Sequence, residues 1–157
     1  MISIIAAVAK NNVIGKKNTL PWYIPEDLQR FKELTYGKTV VMGQRTFDSI
    51  VSRNGKPLAN RTNVVLTKDK DAKFAPGVVV LNDIKDIYKL PDEQIFVIGG
   101  GEIFRQTIDS ADRLHITHVD QEIDGGDVFF PNIDPEKWKK VSDEPHGNFS
   151  FATYERI

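Results

Sequence analysis

Residues 95–104 read IFVIGGGEIF and combine a buried strand, a glycine turn and the start of a helix. The apolar run at 95–98 is continuous rather than alternating, which is typical of a strand covered on both faces. Three glycines follow it and permit a tight turn into an amphipathic segment at 102–108. This strand–turn–helix order predicts an α/β fold built on a parallel sheet.

The same alternation of apolar strands and amphipathic segments recurs along the chain. Further strands are predicted at ISIIAAVA, TVVMG, NVVLT and GVVVL, and further helices near 25–35, 44–51 and 83–89. RLHITHVD, KWKKVSDE and FSFATYERI, in the last third, have no helix between them, which favours antiparallel pairing. We therefore predict a single α/β domain over residues 1–157. Its central sheet is mixed but mostly parallel, with about eight strands, an antiparallel C-terminal edge and about four flanking helices.

Composition excludes several classes of function. The 157 residues include 21 basic and 22 acidic side chains, dispersed along the chain, which is unlike the basic face of a nucleic-acid-binding protein. The chain has no cysteine, and its three histidines show no metal-ligand spacing. The opening MISIIAAVAK lacks the basic start of a secretion signal, and no apolar segment approaches the roughly 20 residues that span a bilayer. We expect a metal-free cytoplasmic protein.

A second strand-to-helix junction lies in VVMGQRTFDSI, residues 40–50. Gly43 ends the strand, and Gln44, Arg45 and Thr46 form the predicted first helical turn. Ligands of open α/β sheets bind beyond the carboxyl ends of the strands, where free amides and the helix dipole favour a phosphate. Neither junction matches G-x-G-x-x-G or the Walker pattern. A phosphate site and an ordinary tight turn therefore remain equally good interpretations.

The helix predicted at 25–35 carries a carboxylate on its apolar face. Pro25 suits the first helical position, and the apolar residues that should face the core are Ile24, Leu28, Phe31 and Leu34. At about 100° per residue, Asp27 falls inside this stripe and Glu26 outside it. Asp27 is either a first-turn acid favoured by the helix dipole or a pocket carboxylate whose ligand supplies hydrogen-bond donors. The residues alone leave both interpretations open.

The segment before this helix, KNNVIGKKNTLPW at residues 10–22, is longer than most loops in compact domains. Its glycine, asparagine and lysine content suits a mobile surface segment, whereas Leu20 and Trp22 can close over a site. We expect it to be a lid.

These motifs together resemble the dihydrofolate reductase family along the full length of the chain. The matching stretches are MISIIAAVAKNNVIG, LPWYIPEDLQRFK, VVMGQRTFDSI, VIGGGEIF, LHITHVD and GDVFFP, in the family's order and spacing. The resemblance implies hydride transfer from NADPH to 7,8-dihydrofolate, which gives tetrahydrofolate for one-carbon metabolism. It also implies that the protein is a monomer and that its binding partner is the small-molecule substrate dihydrofolate.

The resemblance assigns the substrate site residue by residue. Asp27 matches the ionisable group that binds the pterin and assists its protonation, and Thr117 matches a hydroxyl in the same network. Leu20 and Trp22 complete the catalytic group. The apolar walls correspond to Ile5, Ala6, Leu28, Phe31, Ile50, Leu58 and Ile98. Arg61, which by its local pattern alone would be a solvated turn residue, matches the arginine that clamps the glutamate α-carboxylate.

The resemblance also assigns the cofactor site. It places the pyrophosphate at the helix after Gly43, and a cis Gly–Gly bond within Gly99, Gly100 and Gly101. It places the nicotinamide near Ala7, Ile14, Leu20 and Phe104. The remaining cofactor residues are Gly15, Asn18, Thr19, Gln44, Arg45, Thr46, Thr67, Lys68, Ile98, Glu102 and Ile103.

The chain departs from the family pattern at the adenosine end. Gln44 and Glu102 stand where many members carry arginines, and Lys68 stands where a small hydroxyl residue is frequent. Phe104 replaces a common tyrosine. Lys68 and Arg45 remain available for the 2′-phosphate, so we expect a preference for NADPH over NADH. The alternative functions are a reductase of the same fold for another pterin-like or pyrimidine substrate, and a non-catalytic nucleotide-binding module.

Overall fold

A computed structural model describes residues 1–16 and 21–157 of the chain. Its strands are β1 (Ile2–Ala9), β2 (Val13–Gly15), β3 (Thr39–Gly43), β4 (Thr62–Leu66), β5 (Val79–Leu81), β6 (Ile95–Gly99), β7 (Arg113–Val119), β8 (Val128–Phe129), β9 (Trp138–Pro145) and β10 (Phe149–Arg156). Its α-helices are α1 (Pro25–Thr35), α2 (Gln44–Asn54) and α3 (Gly101–Thr107). A 3₁₀ helix spans Ile84–Lys89, where the sequence predicted the third helix. No helix in this part of the chain is long and apolar enough to cross a membrane.

The main sheet has eight strands in the order β5-β4-β3-β6-β1-β7-β10-β9. The pairings from β5 to β7 are all parallel, and β10 pairs antiparallel with both β7 and β9. The predicted mixed sheet with an antiparallel C-terminal edge is therefore confirmed. Since parallel strands carry their carboxyl ends on the same edge, the ends of β1, β3 and β6 lie side by side.

A second, two-stranded sheet pairs β2 with β8 antiparallel. Val13 is buried there, and backbone hydrogen bonds from Phe130 to Asn12 (2.8 Å) and from Asp127 to Gly15 (3.1 Å) flank the pair. The prediction of one irregular loop over residues 10–22 is thus wrong at Val13–Gly15. Three residues are too few to show a strand period, and the partner strand lies far along the chain.

The apolar core lies on both faces of the sheet. One cluster contains Ile4, Val97, Phe104, Ile116 and Phe130. A second cluster, which we call the α2-side cluster, is formed by Val40, Met42, Phe47, Ile50, Val65 and Phe96. In the middle of β1, however, Ile5, Ala6 and Ala7 are only partly buried, although the strand is buried before and after them. A central strand that is exposed at its middle marks a cleft in the surface.

Candidate active site

The cleft at the middle of β1 receives a carboxylate from α1 and a hydroxyl from β7. The Thr117 hydroxyl donates a hydrogen bond to Asp27 Oδ1. Thr117 is buried, and β7 carries it next to Ala7 of β1, with which it is in register. Asp27 thus has a partner within the protein, 90 residues later in the chain. No local pattern could have indicated that partner.

The electrostatic environment of Asp27 has opposing contributions. Burial raises the pKa of its carboxyl, whereas the Thr117 hydrogen bond and the positive charge of Arg30 lower it; burial has the larger effect. The net result is a half-buried acid that holds its proton to a higher pH than an exposed aspartate does. This suits a group that binds N–H donors and assists a proton transfer.

The buried face of α1 departs from the predicted apolar stripe at one position. Leu28 is 51% exposed, so the prediction that it faces the core is wrong. The other stripe residues, Ile24, Phe31 and Leu34, are half-buried, and so are Asp27 and Arg30. Asp27 and Leu34 are about 20° apart around the helix, so they share one face. The exposure of Leu28 depends on what α1 packs against, which the helix sequence does not contain.

Most of the predicted apolar wall comes together at the α2-side cluster. Ile50 is buried within it, and Ile5, Leu58 and Ile98 are partly buried against it. Ala6 packs instead against the cluster on the opposite face, because adjacent residues of a strand point to opposite faces. The half-exposed members of the wall leave apolar surface free for a flat ring.

Arg61 is held in place rather than solvated. Its Nε donates to Thr35 Oγ1 and its Nη1 to the carbonyl of Ala59, both at 2.8 Å. The guanidinium also lies 5.8 Å from the centroid of the Phe31 ring. These contacts use one side of the guanidinium and leave donors for a carboxylate at the α1 end of the apolar wall.

The loop that carries Leu58 and Arg61 is fixed by one buried amide. Asn63 accepts a hydrogen bond from the backbone N–H of Leu58 and donates to the carbonyls of Leu58 and Arg61. Neither Asn63 nor Thr35 was identified from the sequence. Both hold other residues in position, and only their partners in the structure reveal this.

The two glycine junctions meet, because β3 and β6 are neighbours in the sheet. A Cβ at Gly99 or at Gly100 would lie 3.3 Å from Thr46 Oγ1, and a Cβ at Gly43 would lie 3.4 Å from Ile103. The Gly99–Gly100 bond is cis, as the resemblance implies. Gly43 precedes the first turn of α2, and no side chain in the described part of the chain caps that turn. The junctions thus combine bare backbone with free amides, which suits a phosphate.

Gly101 borders this glycine turn on the side of the small sheet. A Cβ there would lie 2.7 Å from Val128 Cγ1, 3.3 Å from the Phe129 carbonyl and 3.9 Å from Ile14 Cδ1. The half-buried Ile14 and Gly15 of β2 are thereby brought next to the turn. Phe104 is buried against Phe130, and its ring edge would lie 3.9 Å from a Cβ at Gly99. These contacts fit the predicted cofactor wall.

The outer end of this wall is polar. The Thr67 hydroxyl donates to Gln44 Oε1 at 2.7 Å. Glu102 binds Arg105 and Gln106, and these bonds together with the charge of Lys68 lower the pKa of Glu102 to about 2. Arg45 and Lys68 are exposed. The end where adenosine is expected therefore offers two exposed cations but also one fixed anion.

Trp22 is half-buried just before α1. Asn18, Thr19 and Leu20 lie outside the residues that the structure describes, so their predicted roles remain predictions.

The residues around the exposed middle of β1 combine groups of distinct chemistry. Asp27 and Thr117 offer a hydrogen-bonding acid, Arg61 a guanidinium, and the glycine junctions a backbone cradle. Among the described residues, no group of three or more acidic or histidine side chains is placed to hold a metal. The cleft is suited to an acid-assisted reaction between a planar ring and a phosphate-bearing cofactor.

Comparison with known proteins gives one consistent result. The sequence model of the family described as dihydrofolate reductase matches residues 1–156. The dihydrofolate reductase of Bacillus subtilis is 44% identical over 92% of this chain and 83% of its own length. That of Haemophilus influenzae is 42% identical over 90% and 86%. The structure of the Enterococcus faecalis dihydrofolate reductase complexed with NADP(H) and RAB-propyl superposes with a TM-score of 0.88 at 37% identity, covering 99% of this chain and 96% of that one.

Proposed function

Because the chain belongs to the dihydrofolate reductase family, we propose that its cleft binds the pterin of 7,8-dihydrofolate through Asp27 and Thr117. The reaction of the family is the NADPH-dependent reduction of dihydrofolate to tetrahydrofolate. The observation that carries the assignment of residues is the Thr117–Asp27 hydrogen bond at the half-buried end of the cleft. It leaves the second carboxylate oxygen and the remaining lone pairs of Asp27 for a ligand.

In this proposal Asp27 binds the pterin ring and assists its protonation. A carboxylate accepts two parallel N–H donors from a pterin ring, and such charge-assisted hydrogen bonds are stronger than neutral ones. The raised pKa of Asp27 increases the fraction of enzyme that carries the extra proton near neutral pH. That proton is needed at the ring nitrogen beside the carbon that is reduced, and a water is the proposed immediate donor. NADPH, when bound, supplies the hydride.

Arg61 and the apolar wall hold the rest of the substrate. The half-exposed Ile5, Leu58 and Ile98 are proposed to contact the pterin and benzoyl rings together with Phe31 and Leu28. Arg61, already held by Thr35 and Ala59, is proposed to clamp the glutamate α-carboxylate. A guanidinium that is positioned beforehand loses less entropy on binding than a free one does.

The glycine junctions are proposed to hold the cofactor. The uncapped first turn of α2, with Gly43, Arg45 and Thr46, faces the pyrophosphate, and Gly99, Gly100 and Gly101 form the opposite wall. Ala7, Ile14 and Phe104 adjoin the nicotinamide. Arg45 and Lys68 are the proposed partners of the 2′-phosphate, and Gln44, Thr67 and Glu102 are their neighbours.

We further propose that residues 1–157 form one domain, which works as a cytoplasmic monomer without nucleic acid. Both the first strand β1 and the last strand β10 pair with β7, so the sheet joins the two ends of the chain. The nearly equal numbers of basic and acidic residues support the absence of nucleic acid. Sedimentation of the purified chain should give one species with the mass of a single chain.

The proposal is tested by activity and by binding of both partners. Purified protein should oxidise NADPH only when dihydrofolate is present. It should also bind both NADPH and a pterin-type antifolate tightly in separate titrations. A reductase for another substrate would bind NADPH without the antifolate, and a non-catalytic nucleotide-binding module would bind NADPH without oxidising it when dihydrofolate is added. Either result would contradict the proposal.

A further inference from the structure

One cation on α1 lies behind Asp27 and has no role in the proposed binding of substrate or cofactor. Arg30 follows Asp27 by three residues, which places the two side chains on neighbouring positions of the same helix face. Arg30 is half-buried, unlike the exposed lysine two residues later. A half-buried guanidinium beside a half-buried carboxylate favours the charged form of both groups.

Contacts with β10 hold Arg30 in this place. Its guanidinium carbon lies 4.5 Å from the centroid of the Phe151 ring, within the range of a cation–π contact. Phe151 is the cross-strand partner of Thr117, which donates its hydroxyl hydrogen to Asp27. A hydrogen bond, a cross-strand pairing and a cation–π contact thus link Asp27 to Thr117, Thr117 to Phe151 and Phe151 to Arg30. The Phe151 ring therefore holds the guanidinium beside the strand pair that carries Thr117.

Other ionisable groups near Asp27, Thr117, Phe151 and Arg30 lie on β7 and β9. On β7, burial and the charges of Arg30 and Arg113 lower the pKa of His115 to about 4, so His115 is neutral at pH 7. On β9, the charge of Glu144 also acts on Arg30, and Glu144 Oε1 lies 3.0 Å from His146 Nε2.

A groove between α1 and the β9–β10 hairpin lies along the same side of the helix. Glu26, Glu33 and Glu144 line it with Arg30 and Phe151. Glu26 and Glu33 are exposed to solvent. Arg30 is therefore subject to the charges of two carboxylates, Asp27 and Glu144.

We propose that Arg30 is a positioning residue that supplies a fixed positive charge behind Asp27 and keeps its carboxylate ionised when the pterin binds. Glu144 weakens this effect because it attracts the same guanidinium. The pair Arg30–Glu144 thereby adjusts the pH range, set mainly by burial and by the Thr117 hydrogen bond, over which Asp27 can both accept the pterin N–H donors and take up the proton for the reaction. The inference rests on the proposed role of Asp27 in the reduction of dihydrofolate.

The first experiment measures the pKa of Asp27 directly by carboxyl ¹³C NMR of the ligand-free protein. Arg30→Met removes the charge but keeps an unbranched side chain on Phe151, and it should raise this pKa by about one pH unit. Arg30→Lys should keep it close to the wild-type value. Lys32→Met, which removes an exposed charge from the same helix, serves as the matched control and should change nothing.

The second experiment tests a change of the Asp27 pKa in the opposite direction. Glu144→Gln removes the carboxylate that competes for Arg30, so the pKa of Asp27 should fall, by less than it rises in Arg30→Met. The pH at which the rate of hydride transfer declines should move in the same directions in each variant. A folded Arg30→Met protein with an unchanged Asp27 pKa would overturn the inference. If that variant does not fold, an Asp27 pKa that stays constant in Glu144→Gln would overturn it equally.

The NMR measurement separates the two proposals. It needs no substrate, so a shift of the Asp27 pKa without any reductase activity would contradict the proposed function and not the Arg30–Asp27 coupling. Normal activity with an unmoved pKa would contradict the coupling and not the function.

Discussion

The two ends of the cleft are built in different ways. At the acid end, the working groups are side chains from α1 and β7, brought together by hydrogen bonds and packing between distant parts of the chain. At the glycine end, the working group is the backbone itself, and the residues are defined by what they lack. Side chains can be exchanged for others of the same shape without disturbing the fold. At Gly101, by contrast, a Cβ cannot be added without displacing a neighbour.

A substitution at the acid end should reduce the activity of the protein without unfolding it. Asp27→Asn keeps the shape and can still accept the Thr117 hydrogen bond, but it cannot take up a proton. We expect turnover at pH 7 to fall by about 10²-fold or more, the usual contribution of a general acid. Steady-state and single-turnover kinetics measure this. Glu26→Gln, at the exposed adjacent acid, is the control, and near-wild-type turnover in Asp27→Asn would remove Asp27 from its role.

The same variant should be more stable than the wild type at neutral pH. Burial raises the pKa of Asp27 above its ordinary value of 3.8, so the folded state binds the proton more tightly than the unfolded state. The free energy of unfolding therefore falls as pH rises through the interval between these two pKa values, and the loss persists above both. Urea unfolding should show a gain in Asp27→Asn at pH 7 that disappears below about pH 3.8.

The glycine end should lose stability together with cofactor binding. In Gly101→Ala the new Cβ would lie 2.7 Å from Val128 Cγ1, so the small sheet or α3 must move. We expect the free energy of unfolding to fall by about 1–3 kcal/mol, as overpacking usually costs, with weaker NADPH binding. The double variant Gly101→Ala/Val128→Ala should recover part of both. Wild-type stability in the single variant would show that the turn adjusts freely.

The smallest effect is expected at the polar outer end. Glu102→Gln removes an exposed negative charge beside Lys68. The affinity for NADPH should rise about two- to fivefold at low salt, and the gain should fade as salt screens it. The affinity for NADH, which lacks the 2′-phosphate, serves as the matched control and should not change. An equal gain for both cofactors would place Glu102 away from the 2′-phosphate.

How far the sequence predicted the site depends on the kind of residue. The glycine junctions could be located because glycines after apolar runs are a local pattern, and the structure shows that the two junctions touch. The inward position of Asp27 followed from helical spacing, whereas the exposure of Leu28 did not, because the rotation of α1 depends on what it packs against. The local pattern alone predicted a solvated turn residue at Arg61, because its partner Thr35 lies 26 residues earlier in the chain. Arg30 and Asn63 were not identified.

By itself the sequence determined the α/β class, the extents of most strands and helices, and the placement of glycines at two carboxyl ends of strands. These properties depend on periodicity and on local backbone freedom, which are determined by residues that are close together in the sequence. Only the tertiary structure decided that Thr117 meets Asp27, that Arg30 rests on Phe151 and that β2 pairs with β8. Each is a contact between distant residues, and its geometry is set by sheet order and helix rotation rather than by any local pattern.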